Sequence, residues 1–121
     1  MTHVLIVDDS PTEVHVVKTM LTKHGFQVSV AGSGEEGIER AKELLPDIIL
    51  MDIVMPGMNG FQATRKLSND AATSHIPIIV VTTKDQDTDR MWALRQGAKD
   101  YLSKPVEEDE LITKIGEVSG G

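Results

Sequence analysis

Five short apolar segments recur along the chain, and each is followed by a longer stretch with the spacing of an amphipathic helix. The segments occupy residues 3–7, 27–31, 47–51, 77–82 and 99–102. The third and fourth contain continuous apolar runs, which are typical of strands covered on both faces of a parallel sheet. The pattern therefore predicts five strands that alternate with five helices.

The predicted helices have recognisable starts and ends. Residues 10–13 and 33–36 each place a serine three residues before a glutamate, which is the spacing of a capping box. Pro11 stands at the first helical position, where its missing N–H costs nothing. The predicted ends are Gly25 for the first helix, Gly97 for a helix over about residues 86–96, and Ile115 for a last helix that starts at Glu107.

Repeated strand and helix units predict an α/β fold in which helices cover both faces of a five-stranded parallel sheet. We expect a (βα)5, flavodoxin-like doubly wound sandwich over residues 1–118, with a flexible tail at residues 119–121 and no second domain. Ligands in such folds bind at the carboxyl ends of the strands. Candidate chemistry is therefore sought at that edge of the sheet.

Polar side chains gather at the predicted carboxyl ends of four strands. Asp8 and Asp9 follow strand one, Asp52 follows strand three, Thr82 ends strand four and Lys104 follows strand five. Three carboxylates close together repel one another, so the arrangement must raise a pKa or bind a cation, and a cation is the less costly solution. Hard oxygen ligands, with no cysteine or histidine near them, favour magnesium, with manganese as the alternative.

These residue types suit phosphoryl transfer, in which catalysis is mainly positioning and charge neutralisation. Asp52 would be the nucleophile, and the metal, the Lys104 ammonium and the Thr82 hydroxyl would stabilise the charge that develops on the phosphoryl oxygens. Any one of these residues alone is more simply a loop acid, a surface lysine or a strand threonine. Their occurrence together at four strand ends favours the phosphoryl-transfer interpretation.

Composition narrows the function classes further. The 121 residues suffice for one domain, and the absence of cysteine excludes disulfides and thiol catalysis. The net charge of -7 disfavours nucleic acid and anionic lipid as partners. No apolar run approaches the ~20 residues of a membrane span, and the acidic residues after the first apolar run do not fit a secretory signal. We expect a cytoplasmic protein without membrane insertion.

Over nearly its whole length the sequence resembles the receiver domains of two-component signalling. The resemblance is carried by residues 7–10, 51–60, 81–83, 97–101 and 104–105. It implies a signalling switch rather than an enzyme, with Asp52 accepting a phosphoryl group from a sensor histidine kinase of the CheA type. It also implies that Asp9 and Asp52 bind magnesium directly, Val54 through its backbone carbonyl and Asp8 through water.

The resemblance further implies a conformational response to phosphorylation. Thr82 would move toward the phosphoryl group while Tyr101 turns inward, which would remodel the face formed by helix four, strand five and helix five, where a downstream protein would bind. The bond between Lys104 and Pro105 is expected to be cis. Thr83 stands where many members carry alanine or glycine, beside the entrance to the phosphoryl site, so the lifetime of the phosphorylated state stays open.

Within the family, residues 9–13, 59–65 and 82–86 most resemble regulators of type IV pilus twitching motility. The sequence leaves open whether such a switch acts on a target or drains phosphate from a shared kinase. It also leaves open the cognate kinase, the target and the role of Trp92. We expect a monomer, with a phosphorylation-dependent dimer as the alternative.

Two enzyme interpretations compete with the switch. Residues 32–37 match the dinucleotide-binding pattern G-x-G-x-x-G, with Asp52 placed to bind a ribose. Glu35 and Glu36 would repel a pyrophosphate there, and the chain is too short for both nucleotide-binding halves and a substrate domain. An aspartyl-phosphate phosphatase of the haloacid dehalogenase type should carry a second acid two residues after the nucleophile, where Val54 stands instead.

Overall fold

The computed structural model describes residues 1–83 and 87–119 and contains one five-stranded parallel sheet in the order β2-β1-β3-β4-β5. The strands are β1 (His3–Val7), β2 (Gln27–Ala31), β3 (Ile48–Met51), β4 (Ile78–Thr82) and β5 (Asp100–Ser103). The helices are α1 (Pro11–Lys23), α2 (Gly34–Leu44), α3 (Gly60–Asn69), α4 (Asp87–Arg95) and α5 (Glu108–Val118). The predicted α/β fold is confirmed, and every predicted strand boundary lies within one residue of the observed one.

The two faces of the sheet are both buried, as the continuous apolar strands predict. Successive residues of β1 point to opposite faces, so Val4 and Ile6 pack in a core with α1 and α5, while Leu5 and Val7 pack in a second core with α2 and α3. A third, smaller cluster joins β4, α4 and β5. The helices therefore cover the sheet on both sides and leave its carboxyl edge accessible.

The predicted capping boxes of α1 and α2 are only half formed. Ser10 Oγ and Ser33 Oγ each accept a hydrogen bond from the backbone N–H three residues later, at 3.4 and 3.1 Å. The reciprocal contact is missing, because the Glu13 side chain contacts Lys104 and the Glu36 side chain accepts from the backbone N–H of Gly32. A complete capping box occurs instead at the start of α3.

The predicted helix ends agree with the structure in most respects. Gly25 and Gly97 have φ angles of 84° and 111°, which confirms them as the residues that end α1 and α4. The last helix starts at Glu108 and continues past Ile115 to Val118, where Ser119 caps it. Three parts of the sequence predictions fall outside the described residues. They are the predicted start of helix four at residue 86, residues 84–86 of the twitching-motility resemblance, and residues 120–121 of the tail.

Two of the three glycines in residues 32–37 have packing roles. A Cβ atom on Gly37 would lie 2.8 Å from Val7 Cγ1, and one on Gly34 would lie 3.0 Å from the backbone oxygen of Met58. These distances are shorter than ordinary contacts, so only glycine lets α2 approach β1 and the loop after β3 so closely.

Among the helices within the described ranges, none is long and apolar enough to cross a membrane.

Candidate functional site

The strand order brings the predicted site residues to one edge of the sheet. The backbone N–H of Asp52 donates to the carbonyl oxygen of Val7 at 2.9 Å, and that of Asp8 donates to Ala31 at 3.0 Å. Both bonds extend the ladders between β1 and its neighbours β3 and β2 by one residue. The backbones of Asp8 and Asp52 are therefore fixed by the sheet itself, and their side chains emerge side by side.

Asp8, Asp9 and Asp52 form a cluster of oxygen ligands. One carboxylate oxygen from each residue lies within 4.8 Å of the other two. Asp8 and Asp52 are buried, whereas Asp9 is exposed to solvent. Three carboxylates at this spacing have the donor chemistry that a hard divalent cation such as magnesium requires. The predicted metal ligands that act through side chains are thus brought together.

Lys104 joins three acids at the centre of the site. Its ammonium donates to Asp8 Oδ2 at 2.9 Å, to Asp52 Oδ1 at 3.2 Å and to Glu13 Oε2. Only 8% of the Lys104 side chain is exposed. Its backbone N–H donates to the carbonyl oxygen of Thr82 at 2.9 Å, which fixes the end of β5 against β4. The bond between Lys104 and Pro105 is cis, as expected.

Burial and charge act in opposite directions on the ionisable groups. Burial raises the pKa of Asp52 to about 6, because the attraction of Lys104 only partly offsets desolvation and the repulsion of Asp8. Burial alone would lower the pKa of Lys104, but its hydrogen bonds to Glu13 and Asp8 and the charge of Asp52 raise it above the ordinary value. The ammonium is therefore firmly charged, whereas Asp52 is a carboxylate with unusually high proton affinity.

Gly60 lets the first turn of α3 lie directly on the loop that follows β3. The backbone N–H of Gly60 donates to the carbonyl oxygen of Ile53 at 2.9 Å. A Cβ atom at this position would lie 2.1 Å from the backbone oxygen of Asp52. Backbone atoms cannot yield to such a contact without moving Asp52, so the glycine is part of what positions the carboxylate.

The remaining predicted site residues lie after β3, at the end of β4 and in β5. Thr82 is fully buried at the end of β4, and Thr83, directly after it, is exposed. Val54 lies two residues after Asp52, with 57% of the residue exposed. Tyr101 is buried in β5. The Arg90 guanidinium of α4 lies 5.4 Å from the centroid of the Tyr101 ring, which is within the range of a cation–π contact.

Sequence reasoning missed two of these contacts. Glu13 was assigned to helix capping, although its place one turn after Asp9 signals that it can reach the same edge of the sheet. The contact of Arg90 with Tyr101 has no signal in the sequence analysis above. Both are long side chains that contact residues distant in sequence, and neither partner can be read from spacing along a single element.

Comparison with known proteins gives these residues a family context. The family model described as response regulator receiver domain matches residues 4–116. Protein PilH of Pseudomonas aeruginosa is 58% identical over 121 residues, which cover both chains completely. Chemotaxis protein CheY4 of Vibrio cholerae, at 29% identity, has a TM-score of 0.91 and is covered to 98%, as is this chain.

A further solved structure bears on the acidic cluster. The receiver domain of the sensor histidine kinase PA1611 from Pseudomonas aeruginosa has a TM-score of 0.91 at 31% identity. The alignment covers 99% of this chain and 98% of that one, and the PA1611 domain holds a magnesium ion coordinated in its active-site cleft. The similarity extends over the sheet and all the helices that surround the site.

Proposed function

This chain belongs to the response regulator receiver domain family of two-component signalling, and on that premise we propose that it is a phosphorylation-driven switch whose phosphoryl acceptor is Asp52. One observation carries the proposal. Lys104 contacts Asp52 at 3.2 Å beside the cluster of Asp8, Asp9 and Asp52. A nucleophilic carboxylate, a fixed cationic group and a set of metal ligands therefore meet at one point.

The proposed reaction is transfer of a phosphoryl group from a phosphohistidine of a sensor histidine kinase. A carboxylate oxygen of Asp52 attacks phosphorus, the P–O bond forms as the P–N bond breaks, and the imidazole nitrogen leaves with the electron pair. Lys104 and Thr82 donate hydrogen bonds to the phosphoryl oxygens, which stabilises the negative charge that develops on them. The N-terminus of α1 adds a positive dipole end beside the site.

Magnesium, or manganese in its place, would be held by Asp9 and Asp52, by the backbone carbonyl of Val54, and by Asp8 through water. When bound, the cation would neutralise charge on the transferred group. Its donor set is supported by the three carboxylates within 4.8 Å of one another. The magnesium in the active-site cleft of the PA1611 receiver domain supports magnesium as the cation.

The output is proposed to be a change of the face formed by α4, β5 and α5. Thr82 and Tyr101 would transmit phosphorylation to this face, where Met91, Trp92 and Leu94 are exposed. The full-length similarity to PilH supports a role in type IV pilus twitching motility, in which the protein acts in the cytoplasm and receives its phosphoryl group from a kinase of the CheA type. Drainage of phosphate from a shared kinase is the alternative output, and it requires the same chemistry at Asp52.

Phosphorylation can be tested by intact-protein mass spectrometry after incubation with magnesium and a small-molecule phosphodonor, and in parallel with the cognate kinase. We expect one added phosphoryl mass in the wild type and none in Asp52→Asn. A wild-type protein that stays unmodified under both conditions would contradict the proposal.

Asp9→Ala is expected to weaken magnesium binding in a metal titration, and an unchanged affinity would remove Asp9 from the ligand set.

A further inference from the structure

Glu13 has the sequence position of a capping residue and the contacts of a site residue. Ser10 is the N-cap of α1, and its backbone N–H donates to Asp8 Oδ1 at 2.9 Å rather than to Glu13. The Glu13 carboxylate instead accepts a hydrogen bond from Lys104. Because Asp8 satisfies the N–H group that a capping glutamate would otherwise serve, Glu13 can reach into the site.

The three donors of the Lys104 ammonium are matched by three carboxylates, on Asp8, Asp52 and Glu13. Side chains of Asp8 and Asp52 are each 8% exposed and emerge from backbones that the sheet holds in place. The Glu13 side chain is 42% exposed and lies on the first turn of a helix. Glu13 is therefore the partner that Lys104 can exchange at the lowest cost when another anion approaches.

The net charge of the site indicates which ligands the Glu13 carboxylate favours and which it opposes. Lys104 contacts three carboxylates, and the Asp9 carboxylate lies beside two of them, so the site carries a surplus of three negative charges. A divalent cation would leave a surplus of one, whereas the same site without Glu13 would be neutral. The Glu13 carboxylate thus favours a bound cation and opposes the additional negative charge of a phosphoryl group.

We propose that Glu13 is a positioning residue that competes with the phosphoryl group for Lys104, so that the site binds magnesium more tightly and a phosphoryl group less tightly than it would without Glu13. The inference rests on the proposed function, since it assigns Glu13 a part in the same phosphoryl-transfer site. Competition of this kind limits the fraction of protein that stays phosphorylated at a given kinase activity.

The test compares Glu13→Gln with Glu110→Gln as a matched control. Both substitutions replace the third residue of a helix and remove one negative charge, but Glu110 is exposed on α5 and is not a partner of Lys104. Magnesium is titrated alone by calorimetry, and beryllofluoride, an analogue of the phosphoryl group, is then titrated at saturating magnesium. Neither measurement depends on turnover.

Opposite changes in the two affinities are the expected signature. Glu13→Gln should bind beryllofluoride about fivefold more tightly and magnesium about threefold more weakly, the size expected for one partly exposed charge a few ångströms away. Glu110→Gln should match the wild type in both titrations. Glu13→Ala should behave as Glu13→Gln does, because the effect comes from the loss of charge.

Three outcomes would overturn the inference. A wild type that binds beryllofluoride with the same affinity as Glu13→Gln would show that Glu13 does not compete for Lys104. Parallel weakening of both ligands in Glu13→Gln would show a purely structural role. A wild type that binds no beryllofluoride at all would overturn the proposed function and this inference together, which separates the two kinds of failure.

Discussion

Taken together, the neighbouring strands β1 and β3 have aspartates at both their amino and their carboxyl ends, and the aspartates at the two ends differ in burial and in hydrogen-bond partners. At the amino ends, Asp47 accepts a hydrogen bond from the backbone N–H of His3 at 2.8 Å, and its own N–H donates to His3 at 2.8 Å. Asp47 is exposed, so water also stabilises its charge. At the carboxyl ends, Asp8 and Asp52 are buried, repel each other and share the single ammonium of Lys104.

This difference separates a structural use of aspartate from a functional one. An exposed acid with a backbone partner completes the end of a strand at little electrostatic cost. Two buried acids are unfavourable for folding unless a cation compensates them, and such arrangements are typical of functional sites. The site edge of the sheet should therefore respond strongly to changes of charge, and the opposite edge should respond weakly.

The largest effect is expected from Lys104→Met. This substitution leaves Asp8 and Asp52 buried without their ammonium, which should cost about 3 kcal/mol of unfolding free energy without divalent cations. Lys114→Met is the matched control, because Lys114 pairs with Asp100 at 3.1 Å but both side chains are partly exposed. Urea denaturation in the presence of a metal chelator should show that the control loses less than about 1 kcal/mol of unfolding free energy. Equal losses would mean that the site edge has no special electrostatic character.

A smaller effect is expected from crowding the site through its backbone. Gly60→Ala places a Cβ atom 2.1 Å from the backbone oxygen of Asp52, so α3 or the loop after β3 must shift. We expect a loss of about 2 kcal/mol in urea denaturation and weaker magnesium binding. Gly116→Ala is the control, because no atom of the described residues outside the adjacent α5 backbone lies within 4 Å of its Cβ position. It should stabilise the protein by about 0.5 kcal/mol, and a stable Gly60→Ala protein would contradict the packing argument.

The smallest effect concerns the pH dependence of stability in the absence of metal. Because the pKa of Asp52 rises from 3.8 to about 6 on folding, the folded protein binds more protons than the unfolded chain between these values. This group therefore lowers stability as pH rises through that window. Asp52→Asn should remove the slope and gain about 1 kcal/mol at neutral pH, since the lost contact with Lys104 offsets part of the benefit.

Asp47→Asn provides the comparison at the opposite edge of the sheet. Its stability at neutral pH should change by less than about 1 kcal/mol, because the Asp47 side chain is exposed and its partner is a neutral backbone group. Thermal or urea denaturation at a series of pH values between 4 and 7 measures both variants. A stability gain in Asp47→Asn as large as that in Asp52→Asn would contradict the contrast between the two edges.

The parts of this molecule that could be predicted from sequence are those governed by local pattern. Ile48 to Met51 form a strand because every side chain in the run is buried, and Gly25 and Gly97 end helices at positive φ. The convergence of Asp8, Asp52 and Lys104 followed from the rule that the carboxyl ends of parallel strands share one edge. The hydrogen bonds from Lys104 to Asp8 and Asp52 confirm that these residues lie together.

Contacts between long side chains and distant elements could not be predicted in the same way. Glu13 fits a capping box by spacing. In the structure its carboxylate instead accepts a hydrogen bond from Lys104, and the backbone N–H of Ser10 donates to Asp8. Arg90 contacts Tyr101 because α4 lies over β5, and neither fact is visible in the α4 sequence alone. The predicted roles of all the site residues, Val54 and Thr83 included, stay predictions, because they depend on a bound metal and a phosphoryl group.

The most direct test of the central claim is to locate the phosphoryl group in the chain. After phosphorylation with magnesium and a small-molecule phosphodonor, reduction with borohydride converts an aspartyl phosphate to homoserine, and peptide mass spectrometry identifies its position. The account predicts homoserine at position 52 alone, and none in Asp52→Asn. Homoserine at position 8 or 9, or no homoserine in a protein that has gained a phosphoryl mass, would contradict it.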